Sequence, residues 1–524
     1  MPPDSDNKSS PGGGRLLVVL VFAGGLTSLG LEIAASRLLA PFFGTSTYIW
    51  GALIGLVLLY LTLGYYVGGW AADRWPRADY LYRLTAVAAA LVLVIPVVSR
   101  PILLFSQQAL NSFAVGAFVG ALLAVILLFA PAVILLGMVS PWVIRLRVNA
   151  VDNAGRASGG VYAISTAGSI LGAFLPAFWW IPSFGTRATI YGLGLLLLAV
   201  SAAGMVRLRV SGAATLTVLC ALPLLGAALP YGSIKPPTDG RAIYEADSEY
   251  GYIQVVERGS EHDLILNEGQ AIHSIYDPNR LLTGGYWDYF ALTPMLGYRH
   301  WQGQRPQHVL VIGLAGGTVA RVLTAAYGPV QIDGVEIDPR IIDVGRRYFA
   351  MTEPNLNAVA ADGRYFLKQA RSDYDLIVID AYRQPYIPFH LTTKEFFEEA
   401  RRHLSPNGVV AVNVGRAPGD YRMVDAITGT LGDAFPEVYQ QDTAGFLNTI
   451  VYATNQPVQP AEVAANLGHN RSDYPSLVAH VVEEASVQAP VHDEPHVPIY
   501  TDDLAPVERL VDSIIYRFVT TSGR

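Results

Sequence analysis

The sequence predicts two different proteins in one chain: a multi-pass α-helical membrane domain, then an α/β Rossmann-like domain introduced by a small β-unit. Three observations carry this. Charged residues are scarce between residues 16 and 230 and frequent after 235. Apolar runs of spanning length recur through the first stretch. From His308 onward, short apolar runs alternate with amphipathic segments, the pattern of a parallel sheet covered by helices.

Composition bounds the rest. The 524 residues are 52% hydrophobic and 15% charged, against about 25% charged in an average soluble protein. A formal net charge of −7 gives no electrostatic case for nucleic acid as a partner. The single cysteine, Cys220, excludes disulfides and thiolate metal sites within one chain. No His/Asp/Glu spacing argues for a metal. No cleavable-signal pattern opens the chain, and residues 1–14, rich in Pro, Gly and Ser, are expected to be a disordered tail.

Residues 15–230 are expected to hold about seven spanning helices: 16–36, 48–70, 84–105, 114–144, 159–182, 189–206 and 213–230. Pro131 and Pro141 should kink or end the fourth. Gly51, Gly55, Gly64, Gly68 and Gly69, and Gly159, Gly160, Gly168 and Gly172, suit close helix packing. Glu32 is a costly intramembrane acid, with Arg37 five residues on. Gly64–Arg74 resembles the loop between the second and third helices of major-facilitator transporters, but seven spans fall short of that family's twelve. Arg74, Arg77, Arg83, Arg145, Arg147, Arg156, Arg207 and Arg209 lie in alternate loops, which places the N-terminus in the cytoplasm. The protein is thus expected to be integral to the plasma or inner membrane. With seven spans the C-terminal half would face away from the cytoplasm, in conflict with the nucleotide-derived substrate argued next.

After a linker at 231–244, the alternating segments at 250–257 and 264–269 suggest a small β-unit over 245–304. Residues 305–455 should form a nucleoside-binding α/β domain and 456–524 a C-terminal extension, loop-rich until 507–518. Strands are expected at 308–313, 330–337, 358–361, 375–380 and 409–414. Helices are expected at 317–326, 339–349, 363–371, 393–404 and 420–433. Ligands of open α/β sheets bind at the carboxyl ends of the strands. There stand Gly313-Leu-Ala-Gly316-Gly317, then Glu336-Ile337, then Asp362-Gly363, then Asp380-Ala-Tyr382-Arg383. The glycines permit a tight turn and a close backbone approach. Glu336, about 20 residues after the glycines, suits a ribose diol. Asp362 suits an adenine amino group and also suits the cap of the next helix. No second glycine run or basic cluster suggests a pyrophosphate, so a nucleoside is favoured over a dinucleotide.

Residues 245–455 resemble the spermidine synthase family of aminopropyltransferases. The resemblance rests on Tyr250-Gly-Tyr, the turn Leu264–Gly269, Tyr286-Trp-Asp288, the glycine loop, Val335-Glu-Ile-Asp338, Asp362-Gly363 and the Asp380 loop. It implies a class I methyltransferase-like fold in a membrane-fused branch of the family. It also implies S-adenosylmethionine, or its decarboxylated form, as the substrate, and loss of 5′-methylthioadenosine. No other cofactor is implied. His273 lies near a ligand-contacting glutamine of the family.

Two positions depart from the family pattern. Leu314-Ala315 stand where the family has an acid that binds the aminopropyl amine. Arg383 stands where a second Asp acts as base, and an arginine is no base at neutral pH. These losses favour a substrate that supplies its own nucleophile. The leaning is therefore to an S-adenosylmethionine lyase: the substrate carboxylate attacks the γ-carbon, the carbon–sulfur bond breaks, and homoserine lactone forms through proximity. In that scheme Asp380, Tyr382, Tyr286, Asp288 and Arg383 are the catalytic candidates. Aminopropyl transfer to a polyamine is the alternative, and a transporter or sensor with a nucleoside-binding or polyamine-binding domain the alternative of another class. Methyl transfer is disfavoured by the β-unit and by Tyr286-Trp-Asp288. His390 falls in the expected lid, Asp502-Asp503 in a helix-capping turn. The expected partners are the lipid bilayer, the sulfonium substrate, a polyamine and a second copy of the chain.

Overall fold

A computed structural model describes residues 11–43, 47–110, 116–148, 151–228, 234–267, 271–371, 373–383, 385–468, 476–485 and 499–522. The chain divides into two units, Met1–Pro236 with Ala246–Tyr252, and Pro237–Glu245 with Ile253–Arg524.

The first unit is helical. Its elements are α1 (Pro11–Phe43), α2 (Thr47–Arg74), α3 (Ala78–Leu110), α4 (Gly116–Gly137), α5 (Val139–Arg147), α6 (Val151–Leu175), α7 (Ile181–Arg207) and α8 (Ala213–Ala221). α1 already begins at Pro11, so the last residues of the expected tail are helical; residues 1–10 lie outside the described residues. Five helices are long and apolar enough to cross a membrane, where the sequence predicts seven spans. The difference has two sources. The fifth and sixth expected spans run together as Ala154–Arg207. That stretch passes through a π-helical turn at Pro176–Trp180 and breaks at Gly185, where φ is 82° and ψ 166°. The seventh is shorter than expected: α8 gives way to a 3-10 turn at Leu222–Ala228. The fourth runs through Val119–Arg147, with a single turn residue, Met138, between α4 and α5, Pro131 inside α4 and Pro141 in the first turn of α5.

Four of the nine glycines sit where helix backbones meet. A Cβ on Gly168 would lie 2.1 Å from the Phe22 carbonyl oxygen, and one on Gly172 2.3 Å from that of Leu26. Gly64 and Gly68 meet the backbone of Ile134 and Met138 in the same way. Around Gly51, Gly55, Gly69, Gly159 and Gly160 there is open space within 4 Å. The Arg37 guanidinium donates to the Glu249 carbonyl.

The second unit holds two sheets. The smaller has the order β1-β2-β3-β4: β1 (Arg241–Asp247), β2 (Tyr252–Arg258), β3 (Glu261–Leu266) and β4 (Ile272–Tyr276). β1 starts inside the stretch expected to be linker. Glu268 and Gly269 of the expected turn lie outside the described residues. A short helix, α9 (Thr293–Leu296), leads to the larger sheet. Its elements alternate: β5 (His308–Ile312), α10 (Thr318–Tyr327), β6 (Gln331–Glu336), α11 (Pro339–Tyr348), β7 (Leu356–Ala360), α12 (Gly363–Gln369), β8 (Tyr374–Ile379), α13 (Lys394–Arg402), β9 (Leu404–Gly415) and α14 (Arg422–Ala434). Two further strands, β10 (Glu437–Asp442) and β11 (Asn448–Thr454), close it as an antiparallel pair that the sequence reading missed. The order is β10-β11-β9-β8-β5-β6-β7, with β9 to β7 parallel. Helices α15 (Pro460–Leu467), α16 (Ser476–Glu484) and α17 (Val507–Ser522) follow.

Burial on both faces explains the unbroken apolar strands. In β5, Val309 and Val311 enter one core with Trp287 and Leu323, while Leu310 and Ile312 enter the other with Phe396 and Ile427. β5 is also where strand order reverses, with β6 on one side and β8 on the other. Ligands bind at such a switch point, beyond the carboxyl ends of the strands.

Candidate active site

The site grows out of β5. Gly313 takes φ +88° and Gly317 φ +88°, both in the left-handed region that glycine tolerates. A Cβ on Gly313 would stand 2.4 Å from the Asp380 carbonyl oxygen, so this glycine lets the loops after β5 and β8 touch. The Asp380 amide donates to the Ile312 carbonyl at 2.9 Å. Across the loop, the Gly316 amide donates to Ser274 Oγ at 2.8 Å, and Thr318 Oγ1 bonds both backbone groups of Ile275. β4 therefore braces the glycine loop. Ser274 is the side chain that meets it; His273 stands at the register shift between the Leu264–Ser274 and Ile265–Ile272 pairs.

Glu336 ends β6. Its carboxylate accepts from the Ala315 amide at 3.0 Å and the Asp338 amide at 3.1 Å. Burial pushes its pKa up to about 7 against those two stabilising bonds. The acid thus closes the glycine loop from one side. Ile337 beside it is 43% exposed, an apolar surface at the mouth of the sheet. Asp362 caps α12, accepting from the Tyr365 amide at 2.9 Å, and its second oxygen lies 3.0 Å from His390 Nε2. Gly363 allows α12 to pack on Ile312, whose Cγ2 would lie 2.3 Å from an added Cβ.

The fourth step is the most polar. Asp380 accepts from Asn413 Nδ2 at 2.8 Å and from the Tyr286 hydroxyl. Burial raises its pKa to about 7, the two donors oppose that, and the Glu336 charge adds to it. Tyr286 is itself buried, stacked on Trp287 at 4.1 Å between centroids, and its hydroxyl pKa is raised by burial and by Asp380. Tyr382 is anchored instead to β9: its hydroxyl donates to the Asn413 carbonyl at 3.0 Å and accepts from the Gly415 amide at 2.7 Å.

Residues 292–444 match the Spermine/spermidine synthase domain family. The C-terminal part of the chain carries a spermidine synthase domain. The chain is 31% identical over 291 residues to a probable polyamine aminopropyl transferase of Bifidobacterium longum, covering 52% of this chain and 64% of that protein. It is 34% identical to the polyamine aminopropyltransferase of Vibrio vulnificus over 26% of this chain and 46% of that one. The chain thus spans under two thirds of the length of these relatives. Among solved structures, a probable spermidine synthase from Corynebacterium glutamicum aligns with 50% of this chain and 99% of its own at 17% identity and a TM-score of 0.37.

The structure gathers Asp380 and Tyr382, from the matched residues, and Tyr286, which precedes them, beside the glycine loop and Glu336. It puts two other candidates to different uses. Asp288 accepts from the Thr283 amide and hydroxyl, both at 3.0 Å, and from the Gly284 amide at 2.7 Å. Its lone pairs are committed to the turn that presents Tyr286. Arg383 is exposed, its backbone paired in both directions with Tyr386 at 2.8 and 3.1 Å. Leu314, where the family has an acid, is buried against Gly334.

Sequence reasoning missed Asn413, Asn448 and Ser274. Asn448 Nδ2 donates to Asn413 Oδ1 at 2.8 Å, and so fixes the amide that donates to Asp380. Asn413 had a readable signal: it is the one polar side chain in the run Val409–Val414, and a buried amide in such a run needs partners. Ser274 carries no such mark.

Proposed function

We propose that this protein is a membrane-embedded aminopropyltransferase. In this reading it moves the aminopropyl group of decarboxylated S-adenosylmethionine to an amine and releases 5′-methylthioadenosine. The observation that carries the reading is Asp380, a buried carboxylate with a pKa raised to about 7, held between Asn413 and Tyr286. A polyamine is an ammonium ion in water and must lose a proton before it attacks carbon. A carboxylate that titrates near neutrality suits that task. Asp380 takes the proton. The freed nitrogen lone pair attacks the carbon on sulfur, and the carbon–sulfur pair leaves with the neutral thioether. Glu336 holds the ribose hydroxyls, Ile337 covers the adenine ring, and Asp362 accepts from the adenine amino group.

The lyase reading rested on Arg383 as a holder of the substrate carboxylate and on the absence of a base. Arg383 is exposed, and Asp380 supplies a base without a second acid. The curated relatives described above are named as aminopropyl transferases. Purified protein given decarboxylated S-adenosylmethionine and putrescine should release methylthioadenosine only when both are present. Methylthioadenosine and homoserine lactone from S-adenosylmethionine alone would overturn the assignment in favour of the lyase.

We also propose seven crossings. Ala154–Arg207 at 1.5 Å per residue is more than twice the roughly 30 Å of a bilayer core, so it makes two passes around Gly185. α8 and the 3-10 turn together rise about 27 Å, because a 3-10 residue advances ~2 Å. Lys235 Nζ then reaches the Pro41 carbonyl at 2.6 Å, at the end of α1 remote from Arg15. With the arginine-rich loops in the cytoplasm, the chain leaves the bilayer on the other side, and the sulfonium substrate must then be supplied on that side. A cysteine in place of exposed Ser260 should react with an impermeant maleimide in intact cells; reaction only after lysis would reverse the topology.

A further inference from the structure

The matched domain ends at residue 444, yet the adenine end of the site is tied down by a segment some fifty residues later. Thr501 and Leu504 close a tight turn through reciprocal backbone bonds of 3.1 and 3.0 Å, which presents Asp502. One Asp502 oxygen accepts from Arg364 Nη1 and from Thr393 Oγ1, each at 2.7 Å. The other accepts from Arg364 Nη2 at 2.8 Å. The turn is pinned again by the Asp502 amide on Glu395 at 2.9 Å, and by the Tyr500 carbonyl, which accepts from the Lys394 amide at 2.8 Å.

Arg364 is the hub. It is 8% exposed and sits on α12, two residues after Asp362. Its fork also donates to Glu399 at 2.9 and 3.0 Å and to the His390 carbonyl at 3.2 Å. His390 in turn places its ring nitrogen 3.0 Å from Asp362. A planar guanidinium can hold two carboxylates and a carbonyl in fixed directions; a flexible ammonium cannot. The last helix grips the same loop from its other end, where the Tyr386 hydroxyl bonds Asp512 at 2.5 Å.

We propose that Asp502 is a positioning residue for adenine recognition. It orients Arg364, Arg364 holds the His390 backbone, and the His390 ring fixes the direction of the Asp362 carboxylate. This rests on the reading of Asp362 as acceptor for the adenine amino group. Without Asp502, Arg364 keeps Glu399, so the core stays paired while the lid carbonyl and His390 drift. The loss therefore falls on discrimination rather than on folding.

The test compares 5′-methylthioadenosine with 5′-methylthioinosine, which lacks the amino group, by calorimetry on the full-length protein in nanodiscs. The wild type should prefer the adenosine compound by about ten-fold or more, the scale of one lost directional hydrogen bond. Asp502→Asn should weaken adenosine binding by about ten-fold and inosine binding by less than about two-fold, so that the preference collapses. KM should rise in step while kcat stays within about two-fold. Arg364→Lys, which keeps a cation but not the fork, should act alike, and Asp502→Glu should restore part of the preference. Equal weakening of both nucleosides, or no change in either, would overturn the positioning role while leaving the aminopropyltransferase reading intact. A wild type that binds neither nucleoside would remove that reading, and this inference with it.

Discussion

Glycine does two different jobs in the two units. In the helical unit Gly168 and Gly172 keep ordinary helical backbone and matter for what they lack, because neighbouring carbonyls occupy the space of a Cβ. In the α/β unit Gly313 and Gly317 adopt φ near +88°, and their value is conformational. The difference follows from the solvent. In the proposed membrane setting no hydrophobic gradient exists between the helices, and close packing supplies the attraction. In the α/β unit burial already supplies it, and glycine is released to shape a loop whose amides face Glu336 and Ser274. Stability in the first unit is thus spread along helix seams. The proposed chemistry of the second is concentrated in one buried hydrogen-bonded chain, Asn448–Asn413–Asp380–Tyr286.

The sharpest break in that comparison is a substitution that spares one property and removes the other. Asp380→Asn keeps shape and removes the base. Turnover should fall by about 10²- to 10⁴-fold, the range for loss of a general base. Affinity for methylthioadenosine should stay within about three-fold, because the proposed nucleoside contacts lie on Glu336, Ile337 and Asp362. Initial rates and calorimetry on one preparation decide it. Unchanged turnover would take the base role from Asp380.

Gly168→Leu is the mirror case. Its first side-chain atom would start 2.1 Å from the Phe22 oxygen, so α1 and α6 must part. Overpacking of this kind costs about 1–3 kcal/mol, sometimes more. The thermal midpoint in detergent and the folded yield should drop, while surviving protein keeps its nucleoside affinity. Gly159→Leu, with open space around it, is the control and should be near neutral. Equal behaviour of the two variants would dissolve the distinction between seam glycines and bystanders.

How far the sequence reached follows the same division. Strand ends, the glycine loop, Glu336 and Asp362 were legible because local spacing announces them. The antiparallel β10–β11 pair was not, since its Glu437–Asp442 strand is polar and short. Asp288 stands apart from the gathered residues for a physical reason: family position shows where a side chain starts, not what its lone pairs already accept. Asp288 spends its own on Thr283 and Gly284. The Asp362–His390–Arg364–Asp502 chain joins residues up to 140 apart, beyond any local pattern. The seam glycines could not be told from Gly159 or Gly160 by spacing, because only a three-dimensional neighbour separates them.

The smallest effect tests the electrostatics of the site. Asp380 must be ionised to accept a proton, and its pKa is raised to about 7, chiefly by burial with the Glu336 charge as a contributor. kcat/KM should therefore rise with pH through a limb near 7 and flatten above it. Protein stability should run the other way. Asp380 binds its proton in the folded state well above the ordinary carboxylate range, so between about pH 4 and 7 the folded state holds more protons than the unfolded one. Its contribution to stability is then full at the acid end and is lost as pH climbs towards 7. Glu336→Gln removes the neighbouring negative charge and should move the rate limb down by roughly half a unit to one unit. The same variant should also raise KM, because it weakens the proposed hold on the ribose hydroxyls. A limb that stays put in Glu336→Gln but vanishes in Asp380→Asn would mean that the two acids titrate independently, with Asp380 raised by burial alone.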